Sequence, residues 1–106
     1  MLGSIERIAD RDVATLERWI DRLEAELAPL QRFVLPAGTM LAGHLHLART
    51  VCRRAERRLV ELQQTETIEP VLVRYLNRLA DLLFVMARWC NRRGGAVETE
   101  WSGGRR

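Results

Sequence analysis

The sequence predicts an all-α fold in which three long helices form an antiparallel bundle within one domain, residues 1–106. Three stretches carry apolar residues at alternating steps of three and four, which places those residues on one helical face. Short polar segments, or segments with proline and glycine, separate the three stretches. A chain of 106 residues has the length of one domain, about 100–150 residues, and can bury one small core.

The first helix is predicted over residues 12–30, and Pro29 marks its end because proline disrupts a helix interior. The apolar residues that define its face are Val13, Leu16, Ile20, Leu23, Leu27 and Leu30. The segment QRFVLPAGT follows this helix. Because Pro36 and Gly38 close that segment, we interpret it as an extended linker with a turn.

The second helix is predicted over residues 40–64. Thr39 is its expected N-cap, since a threonine side chain can accept a hydrogen bond from a free backbone N–H. The residues expected on its buried side are Leu41, Leu45, Ala48, Cys52, Ala55, Leu59 and Leu62. A polar connection follows, and Pro70 suits the first turn of the next helix.

The third helix is predicted over residues 70–92, with Gly94 suited to a left-handed C-terminal cap and residues 94–106 as a flexible tail. Its main apolar side comprises Leu72, Leu76, Leu79, Leu83, Met86 and Cys90, and Leu82, Val85 and Trp89 widen it. More than half of the helix circumference is therefore apolar. Three helices would leave part of that surface open, so we expect further helices or subunits to cover it.

Charge and cysteine content narrow the functional classes. The net charge is +3, with −3 over residues 1–31 and +6 over residues 32–106, which favours an anionic partner. Cys52 and Cys90 form no CxxC pair and are expected to be core thiols in a reducing cytoplasm. The charged N-terminus and the lack of about 18 consecutive apolar residues argue against a signal peptide or membrane span. We expect a cytoplasmic protein.

The stretch ARTVCRRAERR, residues 48–58, concentrates arginines on the second helix. Arg49, Arg53 and Arg57 follow one another at steps of four and so share one side. Two guanidiniums one turn apart can bind neighbouring phosphates through paired N–H donors, and Glu56 could orient Arg53. Spacing alone leaves three interpretations open: a solvated face with ion pairs, a phosphate site, and a nucleic-acid surface.

Asn77 and Asp81 lie one turn apart beside the apolar side of the third helix. A buried polar group without a partner costs roughly 1–3 kcal/mol, so each needs one. Arg74, Arg78, another helix or a ligand could supply that partner.

The remaining motifs do not indicate a metal site or a catalytic side chain. His44 and His46 diverge by about 200° on a helix, so we predict no metal site there and expect His46 to be a hydrogen-bonded packing residue. No glycine-rich phosphate loop, zinc motif or paired nucleophile and base is found. Phe33 is, from its position before the turn, a packing residue of the linker.

Four stretches together resemble the PduO-type ATP:cob(I)alamin adenosyltransferases: FVLPAGT, LHLARTVCRRAERR, YLNRLADLLFVMAR and ETEW. The family pattern reads FxLPxG, then ARTxxRRAER, then YLNRLSDxLF. The similarity covers about residues 13–101 with order and spacing intact. Here LPAG replaces the commoner LPGG, and NRLAD replaces NRLSD.

The resemblance implies a five-helix, ferritin-like bundle that assembles as a homotrimer with ATP between subunits. It implies transfer of the 5′-deoxyadenosyl group of ATP to cob(I)alamin, giving adenosylcobalamin and triphosphate, with Mg²⁺ on the nucleotide. A corrinoid reductase or an adenosylcobalamin-dependent enzyme is then a partner, and neither nucleic acid nor a membrane is. Because cobalamin supplies the nucleophile, no catalytic side chain is expected.

By position, the resemblance assigns Arg49, Arg53, Glu56 and Asn77 to ATP and Phe33 to the corrinoid. Family members also carry a TGDxGxT-like phosphate loop and two further helices, and nothing in this sequence matches them. The acid that pairs with Arg49 across the family's subunit interface belongs to that part. An alternative is therefore a non-catalytic helical module that retains binding or assembly.

Overall fold

The computed structural model describes residues 7–27 and 39–93, which form three α-helices. These are α1, Asp10–Glu24, α2, Met40–Leu62, and α3, Pro70–Arg93. The all-α prediction is confirmed. Phe33, Pro36, Gly38, Gly94 and the 94–106 tail lie outside the described residues. No helix in the described ranges is long and apolar enough to cross a membrane.

Helix α1 is shorter at its end than the 12–30 prediction. Asp12 fixes its start, because the Asp12 carboxylate accepts the Ala9 backbone N–H at 2.9 Å. After Glu24 the backbone closes into tighter turns, in which Leu27 N donates to Glu24 O at 3.0 Å. The prediction that the helix continues through residue 27 is wrong. Apolar spacing continues there, but the chain approaches Pro29, and the residue before a proline disfavours helical geometry.

Helix α2 begins where the sequence predicts. The Thr39 hydroxyl accepts the Ala42 N–H at 3.1 Å, which confirms the N-cap. The Thr39 N–H also donates to the Asn91 side-chain oxygen at 2.8 Å, which ties the start of α2 to the end of α3.

The buried side of α2 differs in part from the prediction. Cys52 is buried, and Leu45 and Leu59 are half-buried. The predicted core residues that are instead exposed are Leu41, Ala48, Ala55 and Leu62. Each of these four residues follows the previous one by seven positions, so they form one row along the helix. Helix α3 contacts α2 on a neighbouring side, through Cys52 and Glu56, and the row itself is exposed.

Helix α3 is the central element, and α1 and α2 each pack against it without packing against each other in the described chain. Helix α2 runs antiparallel to α3, since Thr39 contacts Asn91 and Glu56 contacts Asn77. Helix α1 runs parallel to α3, as the contact of Glu26 with Trp89 shows. Successive helices therefore alternate in direction, as the predicted antiparallel bundle requires.

The core is made of small and medium side chains. Its buried apolar members are Val13, Leu16, Ile20, Ala42, Cys52, Ala80, Val85 and Ala87. Ala80 and Ala87 are fully buried and let the flanking helices approach α3 closely. The large hydrophobic residues that are exposed lie on α1 and α2, not on α3 where the sequence predicts the excess. Both flanking helices cover α3, and most of the exposed large apolar side chains lie on α2.

Candidate functional site

A cleft of about 360 Å³ opens where the start of α3 meets the other two helices. Its lining residues are Val13, Glu17, Glu56, Val73, Arg74, Asn77 and Arg78. Glu56 and Asn77 were both singled out from the sequence, although they lie on different helices. The fold therefore brings two of the predicted site residues into one cavity.

A hydrogen-bonded network crosses this cleft. The Asn77 amide donates to a Glu56 carboxylate oxygen at 3.1 Å. Arg78 Nε donates to Asn77 Oδ1 at 3.1 Å, and Arg78 also pairs with Asp81 at 2.6 Å. The expectation that Asn77 and Asp81 need partners is confirmed, and Arg78 serves both. The expectation that Glu56 orients Arg53 is wrong, because Glu56 faces α3 and bonds to Asn77.

The cleft also contains two guanidiniums that the sequence suggested only as possible partners of Asn77 and Asp81. Arg74 and Arg78 lie one turn apart on α3, the same spacing that drew attention to α2. Arg74 forms an ion pair with Asp10 of α1, so both arginines are balanced by acids. With Glu17 and Glu56 also present, the cleft has mixed charge. This lining suits a polar ligand of low net charge better than a polyanion.

The arginine row of α2, which we define as Arg49, Arg53 and Arg57, is not part of the cleft lining, and Arg53 lies about one turn along α2 from Glu56. Arg53 and Arg57 are exposed and make no ion pair within the described ranges. The exposed ion pair on this helix joins Arg58 to Glu61 at 3.8 Å, away from the row. The row therefore does not form the solvated face with ion pairs that was one of the three interpretations. Its guanidiniums are available to an anion from outside the described residues.

Arg49 differs from the other two members of the row. It is half-buried, and its guanidinium carbon lies 5.2 Å from the centroid of the Phe84 ring. Its Nε is shielded from solvent and has no hydrogen-bond partner among residues 7–27 and 39–93. Phe84 belongs to the apolar run of α3, where it is the last residue of the family pattern YLNRLSDxLF.

His46 packs on the same ring, with centroids 6.0 Å apart and planes tilted by 57°. Burial, and to a lesser extent the charge of Arg49, lowers the pKa of His46. The imidazole is therefore mostly neutral at neutral pH. The packing role expected for His46 is confirmed, whereas the expected side-chain hydrogen bond is absent from the described part of the chain.

Cys52 fixes the middle of the contact between α2 and α3. Its thiol donates to the backbone oxygen of Leu76 at 3.3 Å, and burial raises the pKa of this thiol. Cys90 is half-buried, and both cysteines are free thiols. Among the described residues, no group of three His, Cys, Asp or Glu side chains could hold a metal ion.

The chain matches one protein family over most of its length. The family is described as cobalamin adenosyltransferase, and the match covers residues 3–90. A cobalamin adenosyltransferase of Cupriavidus metallidurans is 49% identical over 89 residues, which are 84% of this chain and 48% of the relative. A corrinoid adenosyltransferase of Bacillus subtilis is 44% identical over 95 residues, 90% of this chain and 49% of the relative.

The solved structures that resemble this fold point the same way. One is a variant of a PduO-type ATP:corrinoid adenosyltransferase from Lactobacillus reuteri, complexed with cobalamin and ATP. It has a TM-score of 0.88 and 33% sequence identity over 95% of this chain and 56% of that one. This chain spans about half the length of the curated relatives it matches.

Proposed function

The chain belongs to the cobalamin adenosyltransferase family, and we propose that it transfers the 5′-deoxyadenosyl group of ATP to a cobalt(I) corrinoid. In this reaction cobalt supplies both electrons of a new bond to C5′. The bond between C5′ and its oxygen breaks, and triphosphate leaves with that electron pair. The protein's own task is to bind and orient ATP and to stabilise the departing charge.

The observation that carries the proposal is the arginine row of α2, whose exposed members have no acid partner in the described chain. Negative charge grows on the triphosphate as the C5′–O bond breaks. Guanidiniums bound to the triphosphate oxygens stabilise that charge as it develops. Arg49 and Arg53 therefore bind the triphosphate, and paired N–H donors match its oxygens.

Glu56 and Asn77 serve the nucleoside end of ATP in this proposal. Both line the cleft of mixed charge: Glu56 lies one turn along α2 from Arg53, and Asn77 faces Glu56 from α3. Their mutual hydrogen bond holds both side chains in place. The remaining carboxylate lone pairs can accept from sugar hydroxyls, which a row of cations cannot do.

Mg²⁺ enters the proposal on the triphosphate. Of the two acids that line the cleft, Glu56 is engaged with Asn77, which leaves Glu17 as a single carboxylate. The donor set therefore fits an ion that phosphate oxygens carry, which is the usual mode of Mg²⁺ binding at nucleotide sites. When bound, it would offset part of the phosphate charge.

The corrinoid contact assigned to Phe33 is part of the same proposal. An apolar ring there would keep water and the lower axial ligand away from cobalt, and four-coordinate cobalt is easier to reduce. A corrinoid reductase, or an enzyme that uses adenosylcobalamin, would be a partner in the cytoplasm.

A homotrimer with ATP between adjacent subunits is also proposed. It is supported by the apolar side chains of Met40, Leu47 and Val51, which are 81%, 63% and 60% exposed on one side of α2. Exposed apolar side chains on this scale are typical of a surface that another chain or further helices cover. The same surface favours the second candidate, a non-catalytic module that assembles without turnover.

The test of the enzymatic proposal is formation of adenosylcobalamin from ATP and reduced cobalamin, followed by absorbance. We expect turnover by the wild-type chain, alone or with an added N-terminal segment from a relative. The matched control is Arg58→Met, which removes an arginine from the same helix outside the row. Turnover in neither format, together with self-association and no ATP binding, would support the assembly module instead.

A further inference from the structure

We propose that Arg78 is a positioning residue for Asn77. It fixes the side-chain amide of Asn77 so that an N–H donor, and not the amide oxygen, is left for the ligand in the cleft. The inference rests on the function proposed above, in which Asn77 binds the nucleoside end of ATP. Arg78 lines the same cleft and acts through Asn77 in this account.

The amide oxygen of Asn77 is fully occupied by Arg78. Arg78 Nε donates to Asn77 Oδ1 at 3.1 Å, and Arg78 Nη2 donates to the same oxygen at 2.5 Å. A carbonyl oxygen has two lone pairs, so these two bonds use both of them. The oxygen therefore has no lone pair left to accept a hydrogen bond from a ligand.

The amide nitrogen of Asn77 is only half occupied. Its Nδ2 atom carries two N–H donors, and one of them donates to Glu56 Oε2 at 3.1 Å. The second N–H is left for a ligand, beside the unused lone pairs of the Glu56 carboxylate. Asn77 and Glu56 thus offer one donor and one acceptor side by side, which is the pair that a hydroxyl group can satisfy.

Charged groups on both sides select this orientation of the amide. Turning it over would place Oδ1 against the Glu56 carboxylate and Nδ2 against the Arg78 guanidinium. All three hydrogen bonds would then be replaced by contacts between two acceptors or between donors. The guanidinium charge at Oδ1 also polarises the amide, which strengthens its N–H donors.

Arg78 is itself held in place by Asp81. Its Nη2 pairs with Asp81 Oδ2 at 2.6 Å, one turn further along α3, and its side chain is 35% exposed. Two of the three guanidinium nitrogens are therefore engaged within α3. Arg53, by contrast, is exposed and has no ion pair in the described chain. Ordering a long side chain on binding costs entropy, and Arg78 has largely lost that freedom before a ligand arrives.

The experiment is calorimetry with two probes, ATP and inorganic tripolyphosphate, in about 0.15 M salt to screen distant charges. We expect Arg78→Met to weaken ATP binding about three- to tenfold and to leave tripolyphosphate binding unchanged, since only ATP has a nucleoside end. The matched control is Arg92→Met, at an exposed position of α3 outside the cleft lining, which should bind both probes like the wild type. An equal loss for both probes overturns the proposal, because Arg78 would then act as a cation for phosphate.

A double-mutant cycle distinguishes positioning from direct contact. In an Asn77→Ala background, Arg78→Met should weaken ATP binding no further, because Arg78 acts only through Asn77. A further loss in that background would mean that Arg78 touches the nucleotide itself, and the positioning role is then overturned. Thermal unfolding of each variant confirms that it is folded.

A second readout needs neither a ligand nor a folded Arg78 variant. In NMR spectra of the wild type, the Nδ2 protons of Asn77 should show nuclear Overhauser effects to the Hγ protons of Glu56. These effects should weaken in Arg78→Met, where one of the two charged groups that orient the amide is gone. Their absence in the wild type overturns the proposal, because the amide then does not hold the orientation on which it depends.

The remaining outcomes separate this inference from the function it rests on. If the wild type binds neither ATP nor tripolyphosphate, the proposed function fails and this inference fails with it. If the wild type binds both and Arg78→Met leaves ATP affinity unchanged, only the positioning role is overturned.

Discussion

The two halves of α2 contact α3 through different chemistry. In the C-terminal half, Cys52 donates to the Leu76 carbonyl and Glu56 accepts from Asn77. In the N-terminal half, Arg49 lies over the Phe84 ring with an Nε that has no partner among the described residues. The C-terminal half uses side-chain polar atoms to join the helices, whereas the N-terminal half, beyond the bond of Thr39 to Asn91 at its cap, joins them through an aromatic ring.

This difference separates polar groups that the fold uses from polar groups that it leaves for a ligand. A hydrogen bond between two helices satisfies both partners, so such residues contribute first to stability. A guanidinium held by a ring, or exposed without an acid, retains its donors. Substitutions of the residues that bond to α3 should therefore change stability, and substitutions in the arginine row should change affinity.

The largest expected effect is on nucleotide affinity, through Arg53→Met. A hydrogen bond to a charged group contributes about 1.5–3 kcal/mol, so ATP binding should weaken roughly 10- to 100-fold. Calorimetry measures this effect, and the unfolding midpoint in urea should hardly change because Arg53 has no described partner. Arg58→Met serves as the control and should bind ATP like the wild type.

The next effect is on stability, through Asn77→Ala. The substitution leaves the half-buried Glu56 carboxylate without its donor from α3, which costs about 1–3 kcal/mol in the free energy of unfolding. Urea unfolding measures it. Gln64→Ala, at an exposed position after α2, is the matched control. An unchanged free energy in Asn77→Ala would show that the bond to Glu56 does not join the two helices.

A smaller change is expected at the start of α2, through Thr39→Ala. Loss of the hydroxyl that accepts the Ala42 N–H should cost about 1 kcal/mol, the usual effect of removing a cap. Thr39→Ser retains the acceptor and should lie close to the wild type in the same urea experiment. If the serine variant is as unstable as the alanine variant, the methyl group and not the cap matters here.

The smallest effect concerns pH and His46. Its pKa is lowered in the folded protein, so the unfolded chain binds more protons below about pH 6.5 and stability should fall as pH falls through that region. Unfolding free energies at pH 7.5 and 5.5 should therefore differ more for the wild type than for His46→Gln. In Arg49→Met, an NMR titration should give a higher pKa for His46, because a repelling charge is gone. A pKa equal to that of the wild type would mean that Arg49 does not lie beside the imidazole.

Most of the fold could be predicted from the sequence, because apolar spacing and end signals determine helices locally. Thr39 and Pro70 marked two starts that the structure confirms. The buried side of α2 was harder to predict. Leu41, Ala48 and Ala55 continue the apolar pattern across two adjacent sides, and spacing does not say which side faces α3.

The candidate site was predictable residue by residue but not as an arrangement. Glu56 and Asn77 were named separately, and their bond depends on the register between two helices, which no local pattern gives. The contact expected between Glu56 and Arg53 was inferred from their proximity along α2. In the structure Glu56 instead accepts a hydrogen bond from Asn77 on α3. Phe84 is the last residue of the family pattern YLNRLSDxLF, but no role was assigned to it, since a phenylalanine in an apolar run normally packs in the core.

The most direct test of this account is an NMR titration of the arginine Nε–H resonances with inorganic tripolyphosphate. If the fold leaves the α2 row for phosphate, the resonances of Arg49 and Arg53 shift together and saturate, while that of Arg58 stays in place. Equal small shifts of all three would indicate only a diffuse attraction of charge and would contradict the account.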